Sequence, residues 1–194
     1  MSKFTTRLLG AAIVAMGVTF SGAQANEFAP KLQETYASQI QPWLSDPVVI
    51  EAVKAQNSRN ASVGAGDIDA MDQTWRAEAK DGSGPMIDEI MSNELSKFLQ
   101  EKAAESDGLF TEIFVMDFKG LNVGQSAVTS DYMQGDEAKW QKTYQAGTDA
   151  LFIDEVEFDE STQSFQTQMS ATVVDPATGQ PIGAITIGVN VEKL

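Results

Sequence analysis

Two stretches near the end of the chain alternate residue by residue, and that alternation limits the fold more than any other feature. In 165–173, Phe165, Thr167, Met169, Ala171 and Val173 interleave with Gln166, Gln168, Ser170 and Thr172; in 185–191, Ile185, Ile187, Val189 and Val191 interleave with Thr186, Gly188 and Asn190. Successive side chains of a strand point to opposite faces, so each stretch presents one apolar and one polar face. The polar face carries no charge. In a chain with 21% charged residues, a face open to bulk water would include some Glu or Lys, so this one is expected to floor a covered, partly wet cavity.

Other strands precede these two. Ile113-Phe114-Val115-Met116-Asp117 runs into Phe118-Lys119-Gly120, where glycine can take the positive φ of a hairpin turn, and returns through Leu121 to Ser126. A polar loop from Ser130 to Trp140 enters a short helix, and strands are expected near 151–158, 163–174 and 181–192. Five strands make one antiparallel sheet.

The N-terminal half reads as helices. Phe28, Leu32, Tyr36 and Ile40 line one face until Pro42 ends the run. Asp46 caps a second helix, with Pro47 at its first position and Val48, Val49 and Val53 turned inward. Residues 57–66 are small and polar and predict a loop. Ile68, Met71, Trp75 and Ala79 restore helical spacing, and after Gly82-Ser83-Gly84-Pro85 a stripe of Ile87, Ile90, Met91, Leu95, Phe98 and Leu99 needs a sheet to cover. The fold class is therefore α+β, with N-terminal helices packed on the sheet.

The first residues read as an address. Lys3 and Arg7 precede an apolar run from Leu8 to Phe20, and Ala23-Gln24-Ala25 offers a cleavage site before Asn26. Residues 1–25 are then a signal peptide, 26–108 the helical part of a single domain and 109–194 its sheet. The expected location is the periplasm, with no membrane span once the leader is cleaved. The remaining 169 of 194 residues suffice for one core that buries roughly 70% of the unfolded surface.

Composition removes several classes of chemistry. The chain has neither cysteine nor histidine, so Ser-His and Cys-His nucleophiles and the usual zinc and haem sites are unavailable, and neither enzyme, cofactor nor metal is expected. Without Lys3 and Arg7, 11 basic residues face 28 acidic ones, a net charge of −17. Such a surface repels nucleic acid and draws cations or basic partners. The acidic run from Asp154 to Glu160 lacks EF-hand spacing, and alternation splits its carboxylates between two faces, so it is expected to be a charged edge strand. Asp67, Asp69 and Asp72 are expected on a wet helical face. Gly64-Ala65-Gly66 lacks the context of a dinucleotide fingerprint, and Asp136 and Glu137 are expected to be ordinary surface acids.

Four motifs follow one another: a strand ending in Asp117-x-x-Gly120; Ser130-Asp131-Tyr132 followed by Gly135-Asp136-Glu137 and Trp140; Phe158-Asp159-Glu160-Ser161-Thr162; and Asp175-x-x-x-Gly179-x-x-Ile182-Gly183-Ala184-Ile185. In this order they resemble the Cache family, also called periplasmic PAS-like or PDC sensors. The resemblance covers residues 109–192 closely and the helices in outline. It implies a small-molecule ligand held on the polar sheet face beneath the Tyr/Trp loop. Ser170, Thr186 and Asn190 would offer hydrogen bonds from below, and Tyr132, Trp140 and Tyr144 aromatic surface from above. It also implies a partner, a membrane receptor or transporter, to carry the signal.

Amino-acid-binding members of that family use a loop arginine near the tryptophan and an aspartate in the last strand. Here Ala138 and Lys139 stand before Trp140, and Asn190 stands at the strand position, which disfavours an amino acid. The only arginines after the leader are Arg59 and Arg76, so residues 109–194 hold no bidentate carboxylate clamp. Lys139 and Lys142 could hold a small carboxylate as point charges, while aromatic rings in an acidic surround would suit an amine or quaternary ammonium. Both ligand classes stay open, as does an adaptor that docks a basic partner on its acidic surface and senses nothing.

Overall fold

The computed structural model describes residues 26–159 and 163–194. The leader and the Glu160-Ser161-Thr162 part of the third motif lie outside the described residues.

Helix α1 (Ala29–Thr35) widens and then tightens as it continues through a π turn, Tyr36–Ile40, and a 3-10 turn, Gln41–Ser45. Pro42 therefore does not end the run. It stands at the start of the 3-10 turn, where its missing N–H costs no intrahelical bond. Asp46 caps α2 (Pro47–Asn60) as expected, its carboxylate accepting from Val48 N at 2.9 Å. This helix extends to Asn60 and α3 (Ala65–Asp81) begins soon after, so the expected loop over 57–66 shrinks to a short link. Gly82, with φ +84°, ends α3 in the left-handed conformation.

The long apolar stripe divides at Asn93 into α4 (Pro85–Ser92) and α5 (Glu94–Glu105). Asn93 caps α5 by accepting from Ser96 N at 2.7 Å, and its amide donates to the Val123 carbonyl at 2.9 Å. The bend sends the two halves to different cores. Leu95 and Leu99 join the sheet, whereas Ile87 and Ile90 pack around Trp75.

The sheet contains β1 (Phe110–Met116), β2 (Asn122–Gln125), β3 (Leu151–Ile153), β4 (Glu157–Asp159), β5 (Ser164–Asp175) and β6 (Gln180–Asn190). It is antiparallel throughout, in the order β2-β1-β6-β5-β3, with β4 pairing farther along β5. The strand expected over 151–158 is two short strands, which brings the described strands to six. Gly120 makes the β1–β2 turn with φ +80°, and a Cβ there would stand 2.3 Å from the Cα of Gly135, so the turn needs both left-handed backbone and a bare Cα.

The apolar face lies where the alternation puts it. Met169, Ala171, Val173, Ile185, Ile187 and Val189 are buried with Ile113 and Val115 against Leu32, Val49, Val53, Leu95 and Leu99 of the helices. Helical half and sheet therefore share one core.

Candidate functional site

The roof over the polar sheet face is α6 (Ala138–Gln141). Trp140 is 8% exposed and packs on Phe114, Met116 and Ala184, and its ring stacks on Tyr144 with centroids 5.1 Å apart and 26° between planes. Its indole N–H donates to the Asp117 carbonyl at 3.1 Å. Indole faces and donor are thus all engaged, and Trp140 acts as the core of this side of the sheet. The surface expected to stack on a ligand thus packs on protein side chains, because an indole beside Phe114 and Met116 gains by displacing water.

Beneath it, directly paired residues form a row across four strands: Phe114, Thr186, Ser170 and Phe152. Ser170 and Thr186 are fully buried, and their hydroxyls bond each other at 2.9 Å. The middle of the uncharged polar face, at Ser170, Thr172 and Thr186, is covered, while Gln166, Gln168 and Asn190 are half-buried, and the hydroxyls of Ser170 and Thr186 satisfy one another. The two roof lysines sit at the ends of the row. Lys139 Nζ lies 5.4 Å from the Phe114 ring centroid and Lys142 Nζ 4.1 Å from that of Phe152. Lys139 also pairs with Glu137 at 3.0 Å and bonds Gln134 at 3.3 Å.

Two expected site residues stand elsewhere. Tyr132 is buried in the cluster around Trp75, with ring centroids 5.7 Å apart, together with Ile87, Ile90 and Leu121. Burial, then the nearby Asp117 carboxylate, push its phenol well above the ordinary range. It was expected on the roof because it shares a loop with Trp140, but its backbone N–H donates to Asp72 and turns the side chain into the helices. Asn190 lies four residues beyond Thr186 on β6, roughly 13 Å away at about 3.3 Å per residue. There its side-chain Oδ1 accepts from Glu192 N at 3.0 Å and caps the terminal turn, Val191–Lys193.

The open depression on this side lies next to Trp140, between α6 and the β4–β5 ribbon, with a volume of ≈ 400 Å³. Glu137, Asp154, Glu155, Glu157 and Asp159 line it, with Lys139 as the single basic residue. Gln166, Gln168 and the ring of Phe158 complete the wall. Its glutamines are tied down: Gln168 donates to Glu112 at 2.8 Å, and Gln166 donates to Asp159 and accepts from Thr111. The carboxylates of Glu155 and Glu157 take no hydrogen bond or ion pair among the described residues. Alternation in one strand would put Asp154 on the face opposite Glu155 and Glu157, but the run is broken between β3 and β4, and all three residues line the groove. No cluster of three or more metal-ligating side chains occurs among the described residues.

Sequence reasoning missed two carboxylates that organise this side. Asp117 is fully buried and accepts four hydrogen bonds: Gln56 and Asn60 of α2 on one oxygen, Lys119 N and Leu121 N on the other. The Asp-x-x-Gly turn was the available signal for it. Asp72, expected on a wet helical face, accepts from Tyr132 N and Met133 N and pairs with Arg76 at 2.6 Å, while Arg76 also reaches Asp131 at 3.1 Å. Burial raises the Asp72 carboxyl, but the Arg76 and backbone bonds and the guanidinium charge outweigh it and leave the group below its ordinary value.

No helix among the described residues is long and apolar enough to cross a membrane. No family model matches the chain, and no curated protein matches it. Among solved structures it is similar to the sensor domain of the V. cholerae histidine kinase DctB, with TM-score 0.48, 11% identity, and coverage of 85% of this chain and 51% of that one. It is also similar to the sensory domain of the Campylobacter jejuni chemoreceptor Tlp3, with TM-score 0.41, 12% identity and coverage of 82% and 63%. A third is the ligand-binding domain of the Pseudomonas fluorescens chemoreceptor CtaA in complex with L-alanine, with TM-score 0.34, 12% identity and coverage of 86% and 60%. The chain spans about half to two thirds of the length of these three structures.

Proposed function

We propose that this is a periplasmic Cache-type sensor module that binds a small cationic metabolite, an amine or quaternary ammonium, in the groove between α6 and the β4–β5 ribbon. Its occupancy is then passed to a membrane receptor or transporter. One observation carries the reading: the two unengaged carboxylates of Glu155 and Glu157 in a ≈ 400 Å³ depression that also holds the Phe158 ring. That volume is within the range of small-molecule sites. A cation would meet carboxylates and one aromatic face, a contact worth roughly 0.5 to 2 kcal/mol, and the net charge of −15 would speed its approach.

A small carboxylate fits less well. Lys139 is already paired with Glu137, Lys142 lies over Phe152, and five carboxylates line the same wall. Of the residues proposed from sequence, Lys139 lines the groove, Trp140 and Tyr144 stack on each other beside it, and Ser170 and Thr186 are buried outside its lining.

A thermal-shift screen of the mature protein tests this. Putrescine and choline raise the melting temperature at low ionic strength, less so at 0.5 M salt, and succinate does not. A rise with succinate alone would reverse the ligand class.

A second reading is favoured by one observation. Phe158 and Phe165 are each 48% exposed and contact edge to face at 5.2 Å on the same acidic ribbon. Paired exposed aromatics ringed by carboxylates suit docking of a basic partner, which is the adaptor role. Replacing Phe165 with serine would abolish partner capture and leave amine binding intact if the two functions are separate.

A further inference from the structure

A second cavity lies in the helical half, between α2, α3, α4 and β2, with a volume of ≈ 500 Å³. Its wall is apolar along Met71, Met86, Ile90 and Val123, and the ring of Tyr132 closes one side. None of these residues belongs to the groove beside α6.

Its polar groups have an unusual division of labour. Asn60 is 8% exposed, and its amide N–H₂ donates to the Asp117 carboxylate at 2.7 Å. Because a carboxylate accepts only, the orientation of that amide is fixed, and the carbonyl oxygen Oδ1 must face away from Asp117. It takes no hydrogen bond among the described residues and, unlike the buried unpartnered Asn122 Oδ1, it is accessible, so that it stands as an open acceptor on a side chain that lines the cavity. An accessible acceptor in that setting can take a donor from whatever displaces the water there.

The charges at the rim cancel. Arg59 and Glu89 line the opening, are both exposed, and form no ion pair among the described residues. Opposite charges in contact with water are screened and give no net preference for an ion. The groups inside the rim therefore decide, and they are the buried amides of Gln56, whose Nε2 is already spent on Asp117, Leu121 and Asn122, and of Asn60, with the Tyr132 ring and the half-buried thioethers of Met71 and Met86. Thioether sulfur packs favourably against aromatic rings.

We infer that this cavity is a second binding site, for a neutral aromatic molecule carrying one O–H or N–H donor, such as a phenol or an indole. The donor reaches Asn60 Oδ1 while the ring lies between Met71, Met86 and Tyr132. The site is independent of the amine groove, so neither proposal stands or falls with the other.

Methionine methyl NMR on the mature protein, labelled at the ε-carbon, tests it with p-cresol, indole, toluene and benzoate. Saturable shifts of the Met71 and Met86 methyls with p-cresol and indole are expected. Toluene, which lacks the donor, should bind about tenfold more weakly, the factor that one modest hydrogen bond supplies. Met86→Trp fills the space and abolishes these shifts, and Met71→Trp does the same if the first variant folds poorly. Absence of saturable shifts in the unmodified protein overturns the inference, as does a response confined to Met116 or Met169. Tighter binding of benzoate than of p-cresol also overturns it, because Arg59 would then be the recognising group.

Discussion

The indole N–H of Trp140 donates to the backbone carbonyl of Asp117 at 3.1 Å, and the carboxylate of the same Asp117 is gripped by Gln56 and Asn60 of α2. One residue of the β1–β2 turn thus fastens the roof of the sheet on one side and the helical half on the other. The groove lies next to this fastening, so its shape depends on it.

Replacing Trp140 with alanine removes a buried indole from contact with Phe114, Met116 and Ala184. The expected cost is about 3–5 kcal/mol, measured by urea denaturation. Trp140→Phe keeps most of the packing and loses the bond to Asp117, for about 1 kcal/mol. Equal losses for the two variants would mean that the hydrogen bond, not the packing, holds α6.

Asp117→Asn replaces an oxygen that accepts by a nitrogen that donates, within a ring of four donors. At least one donor is then left facing another, and a buried unsatisfied group costs about 1–3 kcal/mol. Chemical denaturation should show that loss, with the Trp140 fluorescence shifted because its carbonyl partner moves. An unchanged midpoint would place Asp117 outside the stability of this region.

The Asp72 carboxyl titrates below its ordinary value of 3.8 when folded, so it contributes stability above that value and loses it as the pH falls through the lower, folded value. Comparing the protein with Asp72→Asn in thermal melts from pH 6 to pH 2 checks the sign. The difference in melting temperature is present at pH 6 and shrinks towards pH 2. A difference that grew on acidification would contradict the Arg76 and backbone bonds as its source.

The alternation in 165–173 and 185–191 is a local property, and so the two long strands and the face each buries could be read from sequence. The cap at Asp46 and the turn at Gly120 are legible for the same reason, since each depends on its own neighbours. What the sequence concealed depends on distant partners. The bend at Asn93 is fixed by the Val123 carbonyl, and the direction of Tyr132 by Asp72, 60 residues away. Trp140 was recognisable as a residue that must be covered, but whether it roofs a hollow or fills one is decided by Phe114, Met116 and Ala184. The groove gathers residues from α6, β4 and β5, and no spacing in the chain announces that meeting.

Titration calorimetry of choline or putrescine into the mature protein and into a Glu155→Gln, Glu157→Gln double variant tests the central claim most directly. The account predicts saturable binding by the unmodified protein, weakening with added salt, and a loss of about tenfold or more in the variant, whose fold is unchanged because neither carboxylate bonds within the described structure. Equal affinity in the two proteins, or no heat in either, would contradict it.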